Sequence, residues 1–189
     1  MSDEFMIKLF QKVRWVAVDC LNGLVSKVEN LPFEIGSGEG VDLKLNGRAV
    51  AERHCAVNQI QGHGLCLVKQ DASLPLMVNG EAVEFCPLKP DVDYAVKIGS
   101  HFVALRGGRD VDHWLRGLDC GRWTLTDTAA NRVDGPMTLE ELCQFAKDQQ
   151  RHPQTIVQPQ GFTKGFFLYE AYEVLAAAQA SAAPAVEEA

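Results

Sequence analysis

Cys55-Ala-Val-Asn-Gln-Ile60, Gln61-Gly62-His63-Gly64 and Leu65-Cys-Leu-Val-Lys69 follow one another directly in the chain. Two short apolar runs containing β-branched residues flank a tetrapeptide with two glycines, which tolerate the positive φ angles of a tight reversal. The arrangement predicts a β-hairpin with strands at 55–60 and 65–69.

The same pattern extends in both directions. Val13, Trp15 and Ala17 alternate with Arg14, Val16 and Val18, and Asn22-Gly23 supplies a turn before a strand over Leu24 to Val28. Val78-Asn79-Gly80-Glu81 is another turn signal. Tyr94, Val96 and Ile98 then alternate with Ala95 and Lys97 before Gly99 and a last strand, His101 to Arg106. Short strands punctuated by turn residues, with no long helical period, predict an antiparallel β-sandwich over residues 1–106.

Gly107-Gly108-Arg109-Asp110 interrupts the strand pattern, and the reading places a linker at 107–113. Beyond it, Met137-Thr138-Leu139-Glu140-Glu141-Leu142 predicts a helix start. Thr138 caps, Glu141 reaches back to complete a capping box, and Met137 and Leu142 form a hydrophobic staple. Leu139, Leu142, Phe145 and Ala146 share one helical face, with strands expected at 122–126 and 155–158. A small α+β unit over 114–175 follows, then an alanine-rich flexible tail, 176–189. The class is mainly β, and the linker-like composition of the tail is compatible with the 189 residues being the front part of a longer polypeptide.

A net charge of −7 without a Lys/Arg run argues against a nucleic-acid partner, which is held by concentrated basic charge. The six cysteines show no metal-knuckle or redox-pair spacing and read as reduced, mostly buried small hydrophobes of a reducing compartment. An acidic N-terminus unlike a secretory signal, and no apolar run of about 18 residues, predict a cytoplasmic chain without a membrane span. The histidines at 54, 63, 101, 113 and 152 show no ligand spacing. No P-loop, His-Glu-x-x-His or Gly-x-Ser-x-Gly is present, and Gly36-Ser37-Gly38-Glu39-Gly40 lacks the lysine and helix start that phosphate cradling requires. The expectation is a non-enzyme with no metal and no cofactor.

Four segments carry a family resemblance. Phe33-Glu34-Ile35-Gly36-Ser37 resembles the forkhead-associated (FHA) signature in which an apolar strand ends in Ile-Gly-Arg. Val50-Ala51-Glu52-Arg53-His54-Cys55-Ala56-Val57 is similar to its Val-Ser-Arg-x-His-Ala-x-Ile segment. Val78-Asn79-Gly80 matches its second Asn-Gly turn, and Leu88 to Gly99 resembles its closing strand motif. The resemblance implies a β-sandwich whose loops bind phosphothreonine through an arginine, a serine and an asparagine. Here those positions are Ser37, Ala51, and Leu74 or Pro75, so the pocket is degenerate. His54 carries over as a structural residue, Asn79 as part of the turn, and Arg48 and Arg53 as candidate substitute cations.

Arg122-Trp123 to Asp127, with Asn131 to Leu142 containing Gly135-Pro136 ahead of the helix cap, resembles the bacterial GYF-like domain. GYF domains bind proline-rich peptides on aromatic rings. The resemblance implies a peptide groove drawn from Trp123, Phe162, Phe166, Phe167, Tyr169 and Tyr172. The sequence thus predicts a phospho-independent protein-interaction adaptor for a protein or peptide partner, proline-rich for the second module. The alternatives are phosphothreonine binding through Arg48 and Arg53, a self-associating homo-oligomer, or an enzyme without a recognisable motif.

Overall fold

A computed structural model describes residues 13–148 and 155–168. The strands are β1 (Arg14–Asp19), β2 (Leu24–Lys27), β3 (Phe33–Gly36), β4 (Leu43–Lys44), β5 (Cys55–Ile60), β6 (Gly64–Lys69), β7 (Leu76–Val78), β8 (Glu81–Ala82), β9 (Phe85–Pro87), β10 (Asp93–Ile98), β11 (His101–Gly108), β12 (Asp119–Asp127), β13 (Arg132–Met137), β14 (Thr155–Gln160) and β15 (Phe166–Phe167). The helices are α1 (Val111–Gly117) and α2 (Leu139–Asp148).

The first eleven strands form two sheets, one of six in the order β2-β1-β11-β10-β7-β8 and one of five in the order β4-β3-β5-β6-β9. Pairing is antiparallel except between β3 and β4. The hairpin read from 55–69 is present in register, with Ile60 opposite Gly64 and positive φ at Gly62 and Gly64. Asn79 and Gly80, at φ 52 and 85, close β7 onto β8 as their side-chain types require. Trp15, Phe33, Ile35, Leu43, Leu67, Val96 and Leu105 fill the space between the sheets.

The central strands β1, β11 and β10 of the six-stranded sheet are buried on both faces. Along β1, Trp15 and Ala17 enter the inter-sheet core, while Val16, Val18 and then Cys20 join a second core with Phe102 and Ala104. That second core is completed by Trp114, Trp123, Leu125, Leu142, Val157, Phe162 and Phe166 from the C-terminal part, so these elements cover the outer face of the sandwich. The continuous apolar run from Trp15 to Val18 is what burial on two sides selects.

The C-terminal elements form a four-stranded sheet, β13-β12-β14-β15, with α2 beside β12. The capping box is made: Thr138 N–H donates to Glu141 Oε2 at 2.7 Å and Glu141 N–H to Thr138 Oγ1 at 3.2 Å. Met137 and Leu142 both pack in the second core, as a staple requires.

The linker expected at 107–113 is not one. Gly107 and Gly108 end β11, and Val111 and His113 lie in α1, with Val111 and Trp114 buried. The glycines serve close packing. Gly107 pairs with Trp15 across β1, and a Cβ there would lie 2.1 Å from the indole ring. Tyr169, Tyr172 and the tail at 176–189 lie outside the described residues.

Candidate functional site

The loops after β3, before β5 and before β7 meet at one end of the sandwich. The first is held against the second by backbone bonds, Ser37 N–H to the Ala51 carbonyl and Gly38 N–H to that of Glu52, each at 2.9 Å. The approach is so close that a Cβ on Gly36 would stand 2.2 Å from the Glu52 carbonyl oxygen, which accounts for the glycine before Ser37.

His54 joins the loops. It is fully buried; its Nδ1 accepts the Ala51 N–H at 3.3 Å and its Nε2 lies 3.1 Å from the Pro75 carbonyl. An N–H donor at Nδ1 and a carbonyl acceptor at Nε2 together select the neutral imidazole protonated on Nε2. Burial holds its pKa below the ordinary value, outweighing the Pro75 hydrogen bond and the nearby Asp71 charge that favour protonation. His54 thus bridges the backbone at positions 51 and 75.

The three positions that the sequence resemblance aligned with phosphate ligands carry little for an anion. Ser37 is half-buried and its hydroxyl is spent on the Val50 carbonyl at 3.1 Å. Ala51 has no side-chain donor. Leu74 is half-buried, with its N–H committed to Asp71 Oδ1 at 2.8 Å. Asn79 is exposed, and its side-chain oxygen accepts the Ala95 N–H at 2.9 Å, pinning the turn to β10. Arg53 is exposed and pairs with Glu34 at 3.3 Å. Arg48 is exposed and has no ion-pair partner among the described residues.

Asp71 was not among the sequence-derived candidates, yet it places a fixed negative charge on this face. Its Oδ1 accepts bonds from Ser73 N–H, Ser73 Oγ and Leu74 N–H at 2.9, 2.7 and 2.8 Å. The Ser73 hydroxyl, then the two backbone donors, hold its carboxyl below the ordinary range and so keep it charged. The signal was present as Asp71-Ala-Ser73, an aspartate two residues before a serine in a turn.

Of the aromatic residues expected to line a peptide groove, Trp123, Phe162, Phe166 and Phe167 lie among the described residues. Trp123, Phe162 and Phe166 are buried in the second core, where Phe166 stacks on Phe102 of the sandwich with ring centroids 4.0 Å apart. Phe162 meets Trp114 edge-on at 6.2 Å. Phe167 is half-buried, at the position where a Cβ on Gly80 would fall. These rings attach the C-terminal unit to the sheet and do not form an open groove. Among the described residues, no group of three or more His, Cys, Asp or Glu side chains is placed to hold a metal. No helix in that range is long and apolar enough to cross a membrane.

No family model matches the chain, and no curated protein matches it. Among solved structures, about half of the chain is similar to FHA domains. The FHA domain of the CT664 protein from Chlamydia trachomatis is 13% identical over 49% of this chain and 96% of that one, with a TM-score of 0.42. The Rv1747 FHA-1 domain from Mycobacterium tuberculosis is 11% identical over 52% and 99%, with a TM-score of 0.43. Mycobacterium tuberculosis EmbR, in complex with a low-affinity phosphopeptide, is 13% identical over 55% and 29%, with a TM-score of 0.44.

Proposed function

We propose that the chain is a non-enzymatic protein-interaction adaptor whose FHA-like sandwich binds its partner through the loop face without requiring phosphate. One observation carries this reading: a charged Asp71, fixed by three hydrogen bonds, stands on the face where Ser37 and Ala51 offer no free donor. A phosphate held there would face like charge without the guanidinium fork and short donors that make its recognition favourable. The loops themselves are well fixed by His54 and the 36–38 to 51–52 contacts, and a rigid loop face on a sandwich suits peptide recognition.

The C-terminal unit is read as a GYF-like module seated on the sandwich. Its rings are engaged by the six-stranded sheet, so a proline-rich ligand could use them only after the two parts separate. The adaptor function is therefore assigned to the sandwich loops. Arg48, exposed and without an ion pair among the described residues, supports the second reading, phosphothreonine binding through a substitute cation.

A degenerate phosphothreonine peptide library beside its unphosphorylated twin separates the two. Equal capture of both supports the proposal. Phosphate-dependent capture that Arg48→Ala weakens establishes the second reading instead.

A further inference from the structure

Asn46 to Ala49, in the loop between β4 and β5, are exposed, yet they lie directly on the Gly99-Ser100 turn between β10 and β11. A Cβ on Gly99 would collide with the Arg48 and Ala49 carbonyl oxygens, and one on Gly47 with Ser100 Oγ and His101 Nε2. Glycine at both positions is what lets loop and turn meet. Two polar contacts hold them together: Ser100 N–H donates to the Arg48 carbonyl at 3.2 Å, and His101 Nε2 lies 3.1 Å from the Asn46 carbonyl. Ala49 keeps φ +55° in this arrangement, a conformation uncommon for alanine, so the loop is held in place rather than relaxed.

His101 stands between two acceptors. Its ring is buried, and its other nitrogen, Nδ1, lies 3.1 Å from Asp19 Oδ2 at the end of β1. The imidazolium donates to both partners. The neutral ring has one N–H to give, and the carboxylate takes it at Nδ1, because a nitrogen lone pair facing an anion is the worse of the two contacts. Nε2 then turns a lone pair on the Asn46 carbonyl oxygen, and a bond between loop and sheet becomes a repulsion.

We propose that His101 is a proton-operated latch on residues 46–49: the imidazolium holds the loop on the β10–β11 turn, and the neutral ring releases it. The motion is confined to this short stretch. Leu45 N–H stays bonded to the Gly36 carbonyl at 2.8 Å on one side, and Ser37 Oγ to the Val50 carbonyl at 3.1 Å on the other. Between them the loop carries Arg48 and keeps the single bond to Ser100 N–H.

Among the described residues, Asp19 is the charged group that faces the ring. It is fixed in turn by the Asn22 side-chain amide at 2.6 Å and the Leu21 N–H at 3.1 Å. The thiols of Cys20, after β1, and Cys120, in β12, are further titratable groups near that carboxylate. Burial disfavours charge on His101, but Asp19 outweighs it, so the latch opens above the ordinary imidazole value of about 6.5. The regulatory consequence rests on the loop-face reading: a partner meets an ordered Arg48 loop at lower pH and a loosened one at higher pH.

The test is NMR on the full chain between about pH 5.5 and 8.5. The Asn46 carbonyl-carbon resonance should move with the midpoint of the His101 ring protons. The Ser100 amide, corrected for the intrinsic pH dependence of exchange, should exchange about tenfold faster once the ring is neutral. Asp19→Asn should lower both midpoints together, and His101→Gln should leave the Asn46 resonance and the Ser100 protection flat across the range. An Asn46 resonance that ignores the His101 titration, or Ser100 protection unchanged across it, would overturn the proposal. So would an Asn46 midpoint that stays in place when Asp19→Asn moves that of His101. The first two outcomes are read on the unsubstituted chain and decide the matter even if a variant does not fold. Peptide capture enters none of these readouts, so failure of the latch and failure of the loop-face reading are distinguishable.

Discussion

Thr163 donates both its backbone N–H, at 2.9 Å, and its hydroxyl to the same oxygen of Asp93, Oδ2. Asp93 opens β10 on the sandwich and is buried, and its other oxygen is held by Arg106 Nη1 at 2.7 Å. One carboxylate therefore ties a loop of the C-terminal unit to the six-stranded sheet. Asp93→Ala leaves the largely buried Arg106 guanidinium with the long contacts to Asp110 and the Trp114 ring 5.9 Å away, and should cost about 3–5 kcal/mol. Thr163→Val removes the hydroxyl and leaves the backbone bond, and should cost about 1 kcal/mol. Urea unfolding followed by tryptophan fluorescence measures both. Equal, near-zero effects would mean that this carboxylate does not hold the two parts together.

Two buried histidines should titrate in opposite directions. His101 places Nδ1 3.1 Å from Asp19 Oδ2 and Nε2 3.1 Å from the Asn46 carbonyl, so the imidazolium satisfies an acceptor at each nitrogen. Burial works against that charge, but the Asp19 carboxylate outweighs it and raises the pKa above 6.5. His54 is held below 6.5, chiefly by burial. An NMR pH titration of the ring protons should therefore place His101 above the ordinary value and His54 below it.

The consequences for stability follow from linkage. The contribution of His101 is fully present below about pH 6.5 and is lost as pH rises through its folded pKa. For Asp19, burial opposes the charge, but the hydrogen bonds from His101 and Asn22 lower its pKa. Its contribution is present above about pH 4 and is lost as pH falls through its folded value. His54 acts against stability as pH falls below about 6.5, because the unfolded chain takes up the proton more readily. His101→Gln should flatten the alkaline loss, and unfolding free energy measured between pH 5 and 9 would show it.

Gly80 meets Phe167 where the β7–β8 turn touches β15. Its φ is +85°, and a Cβ would lie 2.3 Å from Phe167 Cε2. Gly80→Ala therefore combines left-handed strain, about 1–2 kcal/mol, with a clash. Truncating the ring in Gly80→Ala/Phe167→Ala should remove the clash but keep the strain. The double variant should thus be more stable than the sum of the two single losses predicts, by a coupling of about 0.5–3 kcal/mol. Additive losses in a double-mutant cycle would mean that the turn and β15 are not in contact.

The sandwich was legible because its turns are chemically explicit. Gln61-Gly-His-Gly64, Asn79-Gly80 and Asn22-Gly23 each end a strand with residues suited to positive φ. The capping box at Thr138 was legible for the same reason, since all of its partners are local. Gly107-Gly108 was misread because a glycine that makes room for Trp15 has the same sequence appearance as a flexible one. Trp123, Phe162 and Phe166 were assigned to a groove because single-chain patterning identifies large rings and not the surface that covers them. Their partner face, carrying Phe102, lies on a strand whose other side supplies the first core. Asp71 was overlooked although its partners Ser73 and Leu74 are local, because only the folded loops establish which face it stands on.

Rebuilding the missing ligands tests the loop face from the opposite direction. Ser37 is half-buried beside Ala51, and the FHA resemblance places an arginine and a serine at these two positions. Ser37→Arg with Ala51→Ser supplies a guanidinium and a hydroxyl, and Asp71→Asn removes the fixed negative charge while retaining an acceptor for Ser73 and Leu74. The triple variant should capture phosphothreonine peptides at least about tenfold better than the parent, corresponding to about 1.4 kcal/mol. Restoring Asp71 alone should lose part of that gain, and the gain should shrink as salt screens the exposed charges. Fluorescence anisotropy with a matched phosphorylated and unphosphorylated peptide pair reads each step. If the triple variant gains nothing while keeping the parent's unfolding curve, the loop face does not have the geometry that the resemblance implies, and partner contacts should be sought on other surfaces of the sandwich.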